Sequence, residues 1–197
     1  MNLFKRYLAQ KTKLGLAMNI LVVLLAILIM IPQTRKVTTT FMLRTTLFIY
    51  QPSLLSKPIP LQEEVAQWQL RNLDGDTCRL SDFLGKPLVI NYWASWCPPC
   101  VAEMGQFENL YADYSDRVNF LFISNEQRSD IAKFKKRKKL GIPLYQPVKD
   151  YPHQLSSSSL PVTFIISSKG DILMRKAGVA QWNGTKMRNI LDNMLSE

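Results

Sequence analysis

Hydrophobic positions change period along this 197-residue chain, and each change predicts an element. Leu14–Ile31 is apolar almost throughout, too uniform for the face of an amphipathic helix, and at 1.5 Å per residue it rises about 27 Å, just spanning a bilayer core. From Gln67 to Leu73 apolar and polar residues alternate, which predicts a strand. Asp74-Gly-Asp76 then turns the chain into a second strand through Cys78, Arg79 and Leu80, completing a hairpin. Ser81-Asp-Phe83 predicts a short helical turn. Pro87–Trp93 is a near-continuous run of strand formers, the pattern of a strand buried on both faces. After it, Val101, Met104, Phe107, Leu110 and Tyr111 recur at helical spacing from Pro99 on, with Glu103, Glu108 and Asp113 expected on the wetter side. Val118–Ser124 predicts a second buried strand, and about Arg128 to Leu140 a helix. The stretch from Leu160 to Met174 predicts strand, turn at Lys169-Gly170, strand. A last helix, from about Gly184 to Leu195, carries Met187, Ile190, Leu191, Met194 and Leu195 on one face. Strand, helix, strand, then an antiparallel hairpin and a closing helix make an α/β fold: a mixed central sheet with helices on both sides.

Charge divides the chain in the same way. Residues 1–57 hold eight of the 25 basic residues and no acid, leaving 17 basic against 15 acidic residues in the remainder. The net charge of +10 therefore belongs to the N-terminal region, and the folded part is nearly neutral. Lys5, Arg6, Lys11 and Lys13 precede the apolar run, and Ile-Met-Ile-Pro-Gln at its end offers no small-residue cleavage site. An uncleaved signal anchor is expected rather than a removed signal peptide. The domains expected are a basic cytoplasmic N-terminus (1–13), a transmembrane anchor (14–31), a juxtamembrane linker (32–62) and a folded domain (63–197). Val37, Phe41, Leu43 and Leu47 could make the early linker an amphipathic surface helix, with a disordered tether as the alternative. The excess of basic residues ahead of the anchor puts the N-terminus inside and the domain outside the cytoplasmic membrane. Lys133–Lys139 is the other basic run. With no groove-reading motif beside it, it is expected to be the solvated end of a helix, where cations complement the dipole, rather than a nucleic-acid site.

The chemistry lies in Trp96-Cys-Pro-Pro-Cys100, where a buried strand gives way to a helix. Free N–H groups and the dipole at a helix start favour a thiolate. Cys97 at the helix mouth is expected to attack, and Cys100, one turn in, to resolve. Pro98 and Pro99 suit the first turn and remove two N–H donors, leaving the amide of Cys100 nearest the Cys97 sulfur. A moderately stabilised thiolate makes the pair a reductant, with a potential nearer about −270 mV than about −120 mV. A zinc site would need two more ligands, and the remaining stock is Cys78 and the lone His153. A static disulfide over so short a loop stabilises little. No metal and no cofactor beyond the Cys97–Cys100 pair are expected. Cys78 is expected to be a half-buried strand residue, with a part in resolving mixed disulfides as the alternative.

These residues, in this order, resemble the thioredoxin superfamily, in particular the membrane-anchored TlpA/ResA type of thiol-disulfide oxidoreductase. The match runs over about residues 64–196. Its marks are Trp96-Cys97-Pro98-Pro99-Cys100, the N-terminal hairpin, and Pro161 ahead of a strand that runs into a Lys-Gly-Asp turn. The resemblance implies a thioredoxin-like three-layer sandwich and a cis Leu160–Pro161 bond beside the cysteines. It also implies that Trp96, Pro98, Pro99, Leu160 and Pro161 border the substrate, which pairs as an added strand. Asn91 stands where thioredoxins carry a buried Asp, and Glu103 stands at the spacing of a ResA-type active-site glutamate, which suggests proton movement at Cys100. The alternative for Glu103 is an exposed acid in a helix's first turn. The implied activity is reduction of protein disulfides in the cell envelope, recharged by a membrane electron donor of the DsbD or CcdA kind, with apocytochrome c a possible client. A Sco-like copper module on the same fold is the alternative, although its cysteines would be one residue further apart. A redox-dead scaffold is disfavoured by two intact cysteines, and a peroxidase by the absence of a Thr-x-x-Cys setting.

Overall fold

The computed structural model describes residues 13–30 and 50–196. The chain divides into two units, Met1–Met42 and Leu43–Glu197. Of the first, the structure describes one helix, α1 (Lys13–Met30), whose 18 residues include no acid in the first turn and no base in the last. Met18, Ile20, Leu21, Val22, Val23, Leu24 and Ile27 all lie exposed around it, so the helix is apolar on every side. It rises about 27 Å against a hydrocarbon core of roughly 30 Å. Among the described residues no helix is long and apolar enough to cross a membrane. The apolar sequence itself runs on to Ile31. The basic residues expected on the cytoplasmic side, Lys5, Arg6 and Lys11, and the amphipathic helix considered for the early linker lie outside the described residues.

The second unit holds β1 (Ile59–Pro60), α2 (Glu63–Ala66), β2 (Gln69–Asn72), β3 (Thr77–Arg79), β4 (Leu88–Tyr92), α3 (Pro98–Tyr114), β5 (Asn119–Ile123), α4 (Arg128–Lys138), β6 (Leu144–Pro147), β7 (Val162–Ile166), β8 (Asp171–Ala177) and α5 (Thr185–Ser196). All eight strands form one sheet in the order β1-β8-β7-β4-β5-β6-β2-β3. β4, β5 and β6 are parallel neighbours, while β7 and β8 on one flank and β2 and β3 on the other run antiparallel. β4 and β7 are buried at every position, as their uninterrupted apolar runs require.

Alternation along the strands feeds two cores. Val89, Phe120, Phe122 and Ile165 face one side, where they meet Phe107 of α3, Phe134 of α4 and Met187 and Leu191 of α5. Leu88, Ile90, Leu121 and Phe164 face the other, against Val65, Trp68, Leu70, Leu80 and Leu155. The apolar faces of α3, α4 and α5 thus join one core. The physical reason is topological: β4, β5 and β6 are laid down in one direction, so right-handed crossovers place α3 and α4 on the same side. The second covering layer is thin, made of α2, the 3₁₀ turns Leu80–Phe83 and His153–Leu155, and Trp68. Helices thus lie on both sides of the sheet, as the sequence suggested, three long ones on one side and the single turn of α2 on the other.

The hairpin forms as expected, with Leu70 paired to Cys78. Its turn is held by Asn72, whose Oδ1 accepts from the amides of Asp74, Gly75 and Asp76 at 3.0, 2.8 and 2.8 Å, and Gly75 takes φ 106°, where a side chain is disfavoured. β1 and β6 have no counterpart in the sequence reading. Residues 59–60, which that reading placed in the linker, pair with β8 at Ile172 and Asp171, and Leu55 N–H donates to Leu173 O at 2.8 Å.

Candidate active site

β4 ends at Tyr92 in the middle of the sheet, and after a five-residue loop the chain begins α3. Cys97 is the N-cap, with Pro98 and Pro99 filling the first turn. Cys97 and Cys100 form a disulfide, with Cα atoms 5.3 Å apart. The Cys100 amide donates to Cys97 Sγ at 3.3 Å, the bond that the two prolines left as the nearest available. Both cysteines are buried, at 4% exposure for Cys97 and 1% for Cys100. Cys97 lies at the helix mouth, as expected. There it forms part of the wall of a cleft of about 450 Å³, which Cys100 does not reach. Trp96, Pro98 and Pro99 line the same cleft from the helix side, and Leu160 and Ser157–Ser159 from the loop before β7. Trp96 is 64% exposed.

The Leu160–Pro161 peptide is cis, as the resemblance implied. β7 pairs antiparallel with β4, matching Val162 to Tyr92, and this register carries Leu160 to the cleft. Pro161 itself is buried behind that wall. Below the dithiol, Asn91 is buried and donates from Nδ2 to Thr163 Oγ1 at 3.0 Å, so the position holds a hydrogen-bonded amide with no proton to exchange.

Glu103 departs furthest from its sequence pattern. Expected on the wetter side of α3, it is 1% exposed. Its Oε1 accepts from the Ala180 amide at 2.8 Å and from the Trp182 indole at 2.6 Å, while Oε2 has no partner. Burial pushes its carboxyl up to about 8. The two N–H donors and the positive charge of Lys176 pull the other way. The exposed-acid alternative is therefore excluded. One turn separates Glu103 from Cys100 on the buried face of the helix.

Cys78 lies on β3, an edge strand of the sheet. β5, β6 and β2 come between β4 and β3, which puts roughly 19 Å between their axes. Its thiol is half-buried and raised above its ordinary value by burial and then by Asp82, so it takes no part in the cleft. Among the described residues no group of three or more His, Cys, Asp or Glu is placed to hold a metal ion. His153 sits exposed in a 3₁₀ turn.

Sequence reasoning did not find Tyr92 and Tyr151, whose rings pack at 4.5 Å beside the cleft, nor Trp182, nor the bond between Ser95 and Glu126. The four-serine run at 156–159 was the available signal for the loop wall.

A parallel β4-α3-β5 unit with an antiparallel β7-β8 pair beside it, a Cys-Pro-Pro-Cys disulfide at the start of α3 and a cis Leu160–Pro161 bond at the cleft wall define a thioredoxin-fold thiol-disulfide oxidoreductase. Residues 61–175 match the AhpC/TSA family, and the chain belongs to that family. The thioredoxin-like protein YneN of Bacillus subtilis is 30% identical over 123 residues, which are 59% of this chain and 72% of YneN. The thiol-disulfide oxidoreductase ResA of Geobacillus kaustophilus is 33% identical over 106 residues, 52% of this chain and 61% of that protein. Among solved structures, a putative thiol:disulfide interchange protein DsbE from Chlorobium tepidum superposes with a TM-score of 0.61 at 20% identity, over 72% of this chain and 99% of that one, a likeness of fold.

Proposed function

We propose that this protein is a membrane-anchored reductase of protein disulfides in the cell envelope. One observation carries the reading: of the two cysteines, Cys97 and not Cys100 lines this cleft, and the amide bonded to its sulfur among the described residues is that of Cys100. In the reduced protein the Cys97 thiolate attacks a sulfur of the client disulfide. A mixed disulfide forms, and the other client sulfur leaves as a thiolate and takes a proton. The Cys100 thiolate then attacks Cys97 Sγ, expelling the second client sulfur and closing the Cys97–Cys100 bond. Two electrons pass from the protein to the client. In the second step the ionised form of Glu103, the minor form below about 8, takes the proton that Cys100 loses, and that proton ends on the expelled client sulfur. Trp96, Pro98, Pro99 and Leu160 border the client, with Pro161 fixing the course of Leu160.

A single N–H on Cys97 Sγ stabilises a thiolate only moderately, which favours a potential near that of thioredoxins, about −270 mV, and hence net reduction. Reduction outside the cytosol needs a recharging partner, a membrane thiol donor of the DsbD or CcdA type. Apocytochrome c with oxidised haem-attachment cysteines is a suitable client. Support for the anchor comes from the apolar run to Ile31, which begins as an uninterrupted helix, and from the basic residues before it, which favour the catalytic domain on the periplasmic or extracytoplasmic side of the cytoplasmic membrane.

Trapping tests this reading. In cells producing Cys100→Ser, the client should accumulate as a mixed disulfide on Cys97 that reductant releases. Recovery of no disulfide-linked protein, or equilibration with glutathione at a potential above the glutathione range, would overturn reductase function.

A further inference from the structure

We propose that Glu126 is a positioning residue for disulfide exchange, pinning the loop that carries Trp96 so that the rim of the cleft is set before a peptide arrives. The inference rests on the exchange reaction proposed above. Trp96 is 64% exposed, and a side chain so open to solvent is not located by packing. Its place depends on the main chain of the loop between β4 and α3. That loop is tied at its start by Trp93 N–H to Ile123 O at 3.1 Å and at its end by Cys97 N–H to Ala94 O at 3.1 Å.

Between those ties stands Glu126. Its Oε2 accepts from the Ser95 amide at 2.6 Å and its Oε1 from the Ser95 hydroxyl at 2.5 Å, a two-point grip on the residue next to Trp96. The grip is rigid because Glu126 is itself held. The hydroxyl of Ser124, a fully buried residue just past β5, donates to Oε2 at 3.1 Å and accepts from the Glu126 amide at 3.3 Å. Gln146 Nε2, on β6, donates to the Glu126 carbonyl at 2.6 Å. Residues at the ends of two neighbouring strands thus hold Glu126, Ser124 at its carboxylate and Gln146 at its main-chain carbonyl, and the carboxylate in turn fixes the segment that presents Trp96 and leads into Cys97. Short, paired bonds to a carboxylate are the strong kind, and small displacements of groups that place a substrate are costly in rate.

The test uses the full reduced chain in mild detergent and compares two substrates: a short synthetic peptide closed by a Cys-x-x-Cys disulfide, and glutathione disulfide, which is too small to need the rim. Glu126→Ala should lower kcat/KM for the peptide at least tenfold, mainly through KM, and leave the glutathione disulfide rate within twofold. Glu126→Gln keeps an acceptor for the Ser95 amide and should retain more than a third of the peptide rate. Ser95→Ala, which removes one of the two bonds and is the gentler change if Glu126→Ala fails to fold, should cost the peptide rate about threefold. Equal losses on both substrates, no loss on either, or a Gln variant as poor as the Ala variant would overturn the assignment. A wild-type protein that reduces neither substrate would instead overturn the proposed function itself.

Discussion

Replacing Glu103 by Gln should change how stability depends on pH, and the structure fixes the sign. In the unfolded chain this carboxyl ionises near 4.5, and folding raises it to about 8 because burial penalises the charge more than its two N–H donors repay. Between those values the folded protein holds a proton that the unfolded chain has lost. The stability Glu103 contributes is therefore fully present below about 4.5 and is lost as pH rises through about 8, at up to about 1.4 kcal/mol per pH unit. The whole gap corresponds to a ceiling of about 5 kcal/mol. Gln keeps an oxygen for Ala180 and Trp182 and removes the titration, but it puts an amide NH2 where Oε2 has no partner, a pH-independent cost of about 1–3 kcal/mol. The two stability curves should consequently cross: wild type more stable at pH 5, Glu103→Gln more stable at pH 8.5. Urea unfolding of the oxidised protein at half-unit steps between these limits reads the crossing directly. Parallel curves over that range would show that Glu103 ionises alike in both states, and the account of its burial and of its proton would fall.

Three further outcomes follow from particular contacts. The Tyr92 hydroxyl is buried without a partner, so Tyr92→Phe should be neutral or raise stability by up to about 1 kcal/mol in thermal melts; a clear loss would mean the hydroxyl is bonded. Lys139 ends α4 with φ 55°, and Lys139→Gly should stabilise by about 1 kcal/mol, an effect that an unchanged melting temperature would contradict. Cys78 lies across the sheet from the dithiol, so Cys78→Ala should leave the peptide exchange rate within twofold, whereas a tenfold drop would bring that thiol into the reaction.

The elements legible in the sequence were those whose burial is set by a period. β4 and β7 are buried on both faces and read as unbroken apolar runs, and α5 shows four buried residues at helical spacing. β6 escaped because Leu144–Pro147 follows Pro143 and itself ends in a proline, the composition of a loop, and it is tolerated as a strand since it contributes only four residues. β1 is two residues long and exposed, so it leaves no hydrophobic pattern at all.

In the active site, what could be read was local, and what could not was brought together by the fold. The two cysteines, the prolines between them and the N–H left for Cys97 Sγ all lie within four residues, and backbone rules suffice for them. Trp182 and Ala180 reach Glu103 from 79 and 77 residues away, and Ser95 meets Glu126 across 31, through loops on which no period acts. Glu103 itself is a different case. It stands three residues after Cys100 and four before Phe107, both buried, so the helical spacing alone puts it on the covered face. Treating a carboxyl as a marker of the wet side overrode that geometry. Position on the helix decided the outcome, and the carboxyl met burial by keeping its proton and taking two N–H donors on one oxygen. A charged residue at a core-facing register is thus better taken as a buried group in search of partners than as evidence against burial, and at the first turn behind a dithiol that group can handle a proton.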